Sequence, residues 1–440
     1  MSRSRWILVV GTWLFVALLT KTLPDSEHEY SRLGTVESIV KRGTYELDNS
    51  SFATTRDRIF RNGHYYSHQA PLLATLEAPV FWVLQLAGPG FNNRGRELVT
   101  YLFSLLTNGV ALTLTVLVLS YLLELAAVPS SSREWLAFLM PMGTWLFPYG
   151  VTNNNHGISG LLLTVLAFLL LKLSWHGVTA GRCLALGATL GLMTATEVLP
   201  LVSFVPLTIL YLWSRRDLTT VAWLTFAAAL AAPLLAHAAI NLHITGDIIP
   251  AGFHTELFDY PGTAFDPKEL TGSWKPDSLA AFGEYAWRSL FAYKGYFTFA
   301  PILGIGLIVG AAGWGWRWWA RARGTQLVLM VGGLASLGAS LLTTNHFGGA
   351  AVGFRHAAYL APAMIVLLLP IISGSGRGAN TGRQAVALVA GVSTIVLLLY
   401  AVKQPWTPLT LTTGSVGPWD AYLPVVPMVI AALGVAASFF

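Results

Sequence analysis

Apolar residues fall into runs of roughly 17 to 25 positions, the length that carries a helix across about 30 Å of hydrocarbon, and short polar connectors separate them. These runs lie near 6–21, 98–124, 135–150, 157–173, 183–198, 199–213, 219–240, 295–315, 326–342, 356–373, 384–402 and 421–439. A further piece, 72–86, is ambiguous because Glu77 and Pro79 interrupt it. The pattern predicts an all-α polytopic membrane protein with about 12 transmembrane helices. Two long polar stretches break the rhythm. The first, 22–97, is expected to be a large external loop containing interfacial helices, and the second, 241–294, a larger turn-rich loop ending in an amphipathic surface helix. With no repeat and no soluble segment, residues 1–440 read as a single membrane domain.

Positive charge orients the spans, because Lys and Arg in short connectors favour the cytoplasmic side. With 72–86 interfacial or re-entrant, Arg3/Arg5, Arg133, Lys172/Arg182, Arg215/Arg216, Arg317/Arg321/Arg323 and Arg377/Arg383 all fall inside. The stretches 22–97, 151–156, 241–294, 343–355 and 403–420 then share the outer face. The run Trp6 to Leu19 after Arg3 and Arg5 has no small-residue cleavage site behind it and reads as a retained first helix.

Composition sharpens this picture. Hydrophobic residues make up 54% of the 440 and charged residues 11%, against about a quarter charged in soluble domains. The net charge of +6 sits in connectors rather than on one face, which reports topology and excludes a nucleic-acid partner. Cys183 is the single cysteine, so an intramolecular disulfide and a thiolate metal cluster are both excluded.

Chemistry concentrates in the first loop, where Asp25, Glu27, Glu29, Glu37, Glu46, Asp48 and Asp57 supply bases and metal ligands. The bland alternative for each is a solvated pair with Arg32, Lys41 or Arg61, worth about 0 to 1 kcal/mol. Arg355 offers a planar fork for phosphate at the start of a span; an interfacial arginine reaching headgroups is its alternative. Asn153 to His156 form a polar run between spans, and Glu197 is an ionisable residue in an apolar stretch, costly enough to suggest function. Carboxylates and histidines occur together at His28/Glu29 and His64/His68 without a diagnostic spacing, so a divalent metal stays open.

Several segments occur in a telling order: DSEHEYSRLGTVESIVKRGTYELDN after the first run, NGHYYSHQAPLL, YGVTNNNHGISG, LFAYKGYFTFAP and NHFGGAAVGFRHAAYLAP. The chain thereby resembles the lipid-carrier-dependent glycosyltransferases of the GT-C superfamily, akin to bacterial relatives of protein O-mannosyltransferases and aminoarabinose transferases. It departs from them at Gln69, where relatives carry Lys, and at Phe347, where they carry Trp. The resemblance implies inverting transfer of a sugar from a polyprenyl-phosphate donor to a lipid, glycan or protein acceptor. The site would face the outside of a cytoplasmic membrane. Glu29, Asp48 and Asp57 become the catalytic candidates, with Glu29 or Asp48 the expected base. Arg32, Arg58, Tyr66, His68, Asn155, His156, Glu197, Arg355 and His356 become substrate-binding candidates. No cofactor beyond the open metal is implied.

The rival from another class is a transporter or flippase of a lipid-linked or anionic substrate, since many spans and a few membrane charges describe that machinery too. Against it, the chain shows no paired halves, and its polar motifs gather on one face. A non-catalytic scaffold subunit is the third reading.

Overall fold

Local signals set the limits of the helices that carry segment 22–97. In the computed structural model, which describes residues 2–24, 26–88, 90–91, 95–199, 202–266, 277–292, 295–313, 317–344 and 353–403, the chain begins with α1 (Arg3–Leu19). Next comes α2 (Glu27–Arg42), which opens on a full capping box: Ser26 Oγ accepts from Glu29 N while the Glu29 carboxylate accepts from Ser26 N. Gly43 ends α2 at φ 67°, a left-handed conformation that glycine adopts without a Cβ clash. An antiparallel hairpin follows, β1 (Arg58–Arg61) with β2 (His64–Ser67), turned through Asn62 and Gly63 at φ 52° and 87°.

The short apolar helix α3 (Pro71–Leu86) then leads to α4 (Arg96–Ser104). A π-helical turn at Leu105–Gly109 joins α4 to α5 (Val110–Leu125), giving one helix from Arg96 to Leu125. Beyond it come α6 (Ser130–Met142), α7 (Leu146–Tyr149), α8 (Asn155–His176), α9 (Ala180–Thr196), α10 (Phe204–Trp213) and α11 (Thr220–Thr245). Two 3₁₀ turns, Ala251–Phe253 and Thr255–Phe258, precede the surface helix α12 (Leu279–Leu290). The chain continues through α13 (Pro301–Ala312), α14 (Arg317–Ala320), α15 (Arg323–Thr343), α16 (Ala361–Val366), α17 (Leu369–Ile372) and α18 (Arg377–Lys403).

The chain is a mostly helical, multi-pass membrane protein. Among the described residues, five helices are long and apolar enough to cross a bilayer: Arg96–Leu125, Asn155–His176, Thr220–Thr245, Arg323–Thr343 and Arg377–Leu398. Several of the other expected crossings are shorter or broken. The run at 135–150 divides at Gly143, where a Cβ would lie 2.7 Å from the Ala390 carbonyl oxygen. The run at 356–373 divides into a 3₁₀ turn, α16 and α17, the last two each with a proline in the first turn. The ten residues of α10 rise only about 15 Å. The run at 421–439 lies outside the described residues.

Three cores position the site. The largest fills the space among the membrane helices, with Leu112, Leu166, Phe204, Leu303, Met364 and Leu397 all buried. A second, of Leu33, Val36, Phe52, Phe81, Phe91, Val99 and Phe103, clamps α2 onto α3 and α4. The third, Ile59, Tyr66, Ile244, Ala251 and Phe258, ties the hairpin to the C-terminal end of α11. Helices α9 and α11 meet backbone to backbone through Gly187 and Gly191. A Cβ there would come within 2.4 Å of Phe226 O and 2.6 Å of Leu230 O, so the Gly-x-x-x-Gly spacing admits α11 where a larger residue would exclude it.

Candidate active site

Three side chains from separate parts of segment 22–97 converge beneath the hairpin. His28 comes from the first turn of α2, Asp57 from the residue before β1, and His68 from the residue after β2. Asp57 is buried with its carboxylate between the two rings: His28 Nδ1 lies 2.9 Å from Oδ2 and His68 Nδ1 2.9 Å from Oδ1. Gln69 Nε2 donates to Asp57 Oδ2 at 2.8 Å and lies 2.6 Å from His28 Nδ1. From the far end of the chain, Arg355 Nη2 reaches His28 Nε2 at 2.7 Å. An arginine only donates, so His28 Nε2 accepts from it.

Electrostatics follow from burial. Desolvation pushes the His28 imidazole down to about 4, outweighing the pull of Asp57, and Arg355 adds to the depression. Asp57 goes well below the ordinary carboxylate range because His28 and His68 overcome its own desolvation. Arg32 and Arg355 are both lowered, chiefly by desolvation, with Glu77 the main opposing charge for Arg32 and Tyr149 for Arg355.

The donor set suits a divalent metal of the zinc type. His28, Asp57 and His68 each offer a ligand atom, all within 4.8 Å of one another, and His68 Nδ1 is buried with no aligned hydrogen-bond partner. Two imidazoles and a carboxylate leave a fourth position open, the pattern of catalytic rather than structural zinc.

His68 and Gln69 also line a cavity of about 210 Å³, which reaches from this cluster into the membrane helices. Its walls include Glu197 at the C-terminal cap of α9, His237 and Asn241 of α11, the end of α15 at Ser340, Thr343 and Thr344, and His356. Glu197 is held in place by two neighbours from the first turn of α8. Asn155 Nδ2 donates to its Oε1 at 2.6 Å, and His156 Nδ1 lies 3.0 Å from the same oxygen. Asn155 Oδ1 in turn faces Arg32 Nη2 at 3.5 Å, linking the cavity wall to α2.

No protein-family model matches the sequence, and no curated protein is significantly similar to it. Solved structures do match the fold. ArnT from Cupriavidus metallidurans bound to undecaprenyl phosphate aligns over 98% of this chain and 77% of its own, at 10% identity and TM-score 0.50. The apo state of the same protein aligns over 97% and 76%, at 11% identity and TM-score 0.51. An oligosaccharyltransferase from Archaeoglobus fulgidus, in complex with Zn and sulfate, aligns over 92% of this chain at 15% identity and TM-score 0.51. This chain spans 54% of that protein's length. The chain has the GT-C fold.

Within the GT-C frame, the residues singled out in the sequence fall into two groups. Asp57, His68, Asn155, His156, Glu197, Arg355 and His356 all border the cluster or the cavity. Glu29 is buried beside them, but its carboxylate is engaged by the capping box and by Asn153 N at 3.1 Å. Arg32 is buried next to Asn155, with Nε and Nη1 lacking hydrogen-bond partners. The second group lies on the hairpin. Asp48 accepts from Tyr65 N and pairs with His64 at 3.4 Å. Arg58 donates to the Ala53 carbonyl and stacks on Tyr65, its guanidinium carbon 3.9 Å from the ring centroid. Tyr66 packs in the hairpin core. Lys294 and the stretch His346 to Gly349 lie outside the described residues.

Sequence reading left His28 as an open metal ligand only and passed over His237. The signal for His237 was present: an ionisable residue inside an apolar run, the criterion that singled out Glu197. The Gln69 amide joins the Asp57 cluster.

Proposed function

We propose that the protein is a membrane glycosyltransferase that moves a sugar from a polyprenyl-phosphate donor to an acceptor on the outer face of a bacterial-type cytoplasmic membrane. About a dozen crossings and a single domain over 1–440 belong to this reading. The observation that carries it is the convergence of His28, Asp57, His68 and Arg355 at the mouth of a cavity walled by membrane helices. ArnT, with the same fold, is known bound to undecaprenyl phosphate, which supports a lipid-phosphate ligand here.

Arg355 and the imidazole cluster bind the donor phosphate, and a divalent metal held by His28, Asp57 and His68 would supply further charge neutralisation there. Glu197 takes the proton of the acceptor hydroxyl. The freed oxygen bonds to the anomeric carbon as the bond from that carbon to phosphate oxygen breaks, its electron pair leaving with polyprenyl phosphate and the configuration inverting. Arg32 and Asn155 keep the Glu197 carboxylate aimed into the cavity. Glu29 supports this arrangement by fixing Asn153 at the start of α8. Of the other sequence candidates, His356 lines the cavity and remains a substrate-binding one, while Arg58, Tyr66 and Asp48 sit at the hairpin and take no direct part in this reading.

The experiment is transfer from a panel of radiolabelled polyprenyl-phosphate sugars in proteoliposomes. Incorporation by wild type that is lost in Glu197→Gln and in Asp57→Asn supports the assignment. Movement of the lipid-linked sugar between leaflets without incorporation refutes it in favour of a flippase. Cysteine labelling from outside, after replacing Cys183, tests orientation at two exposed positions: Asp277→Cys should react and Gly378→Cys should not.

A further inference from the structure

The inward stripe of α11 changes character along its length. Its buried positions are Ala222 and Phe226 in one half, then His237, Asn241, Ile244 and Thr245 toward the C-terminal end. Positions 237 and 241 are one helical turn apart and so share a face. Most of the helix otherwise presents apolar residues, and an uncompensated ionisable group among them is costly. His237 is 8% exposed, and neither ring nitrogen has a hydrogen-bond partner. It lines the 210 Å³ cavity together with Glu197, and the close glycine-mediated approach of α9 and α11 sets both residues on one wall.

We propose that His237 is a specificity-determining residue that reads a hydroxyl of the donor's sugar ring, a proposal that rests on the glycosyltransferase reading above. A neutral imidazole offers one donor and one acceptor, which matches a hydroxyl; a phosphate only accepts. The surroundings point the same way. Thr343 and Ser340 hydroxyls already donate to Ala339 O and Ser336 O, Asn241 is neutral, and Arg355 stands at the His28 end. Phosphate therefore belongs with Arg355 and the sugar with His237. Drug-sized ligands occupy roughly 300 to 1,000 Å³, so a cavity of about 210 Å³ fits one sugar ring rather than an oligosaccharide.

The test compares the full-length protein with His237→Ala, His237→Leu and His237→Gln in proteoliposomes. The probes are synthetic polyprenyl-phosphate monosaccharides, their monodeoxy analogues, and bare polyprenyl phosphate as a competitor. For the sugar that wild type uses, His237→Ala and His237→Leu should lower kcat/KM about ten-fold, the size of one neutral hydrogen bond, with His237→Gln recovering part of it. The same variants should leave one monodeoxy analogue unaffected, which identifies the hydroxyl read. Equal losses across every analogue, or a matching loss of inhibition by bare polyprenyl phosphate, would overturn the proposal. If His237→Ala misfolds, the leucine variant, which keeps the apolar volume, and the glutamine variant carry the comparison. Failure of wild type to use any member of the panel would sink the transferase reading itself; an unaltered preference in all three variants would sink only the role of His237.

Discussion

Segment 22–97 builds two three-residue clusters of histidine and carboxylate, and burial sets them apart. His28, Asp57 and His68 meet beneath the hairpin; Glu46, Asp48 and His64 meet on it, and in both the ligand-capable atoms lie within 4.8 Å. The Asp57 side chain is 2% exposed, whereas those of Asp48 and His64 are 26% and 49% exposed. Burial forces the first cluster to be satisfied by neighbours from several elements, including Gln69 and Arg355, because an unpaired buried charge is far costlier than an exposed one. The second is screened by water, and its pairs contribute little. Density of acids in a sequence thus marks a region, while burial selects the chemistry within it.

The comparison can be tested from its strong side to its weak one. Asp57→Asn should reduce transfer at least 100-fold and weaken the binding of added zinc, read by titration of the purified metal-free protein, since it removes the carboxylate shared by both imidazoles. Arg355→Ala should cost about 100-fold in kcat/KM, and Arg355→Lys should recover only part, because a single ammonium cannot reproduce the planar fork. Chelated, metal-free protein should lose thermal stability as pH falls from about 6.5 toward 4. The folded state holds His28 at about 4, below its unfolded value near 6.5, so within that window the unfolded chain binds more protons and stability falls with pH. A flat melting temperature over this range would contradict the burial argument. Asp48→Asn should change activity less than two-fold and the melting temperature by about 1 °C or less. An effect as large as that of Asp57→Asn would erase the distinction between the clusters.

Much of the fold was legible because apolar length and capping are local properties. The capping box at Ser26 and the helix over Leu279–Leu290 could be read from neighbouring residues. The break in 356–373 was not legible, since an apolar run does not reveal whether its helix continues. For the site, Arg355 and Glu197 were individually conspicuous as charges beside or within apolar segments, and Asp57 only as one of the clustered acids of the first polar stretch. What no local pattern carried was the pairing of His28 with Arg355, 327 residues apart, or the engagement of Glu29 in its own helix cap. Asp48 was even preferred to Asp57 as the base, because both lie in the same charged loop and nothing local tells a buried carboxylate from an exposed one.

The π-helical turn at Leu105–Gly109 gives the long helix from Arg96 to Leu125 a change of phase. On one side of it, Val99 and Phe103 face the core shared with α2 and α3; on the other, Leu112, Val116 and Leu119 face the larger core among the membrane helices. Removing one residue would turn one half about 100° relative to the other. The helix would keep its backbone bonds and forfeit one of its two partners. Residues 105–109 should therefore accept conservative replacement and reject deletion, which a scan of both kinds, read by folding yield, would show. Chain length is here a structural variable in its own right, joining two independently packed layers in register much as a vernier aligns two scales.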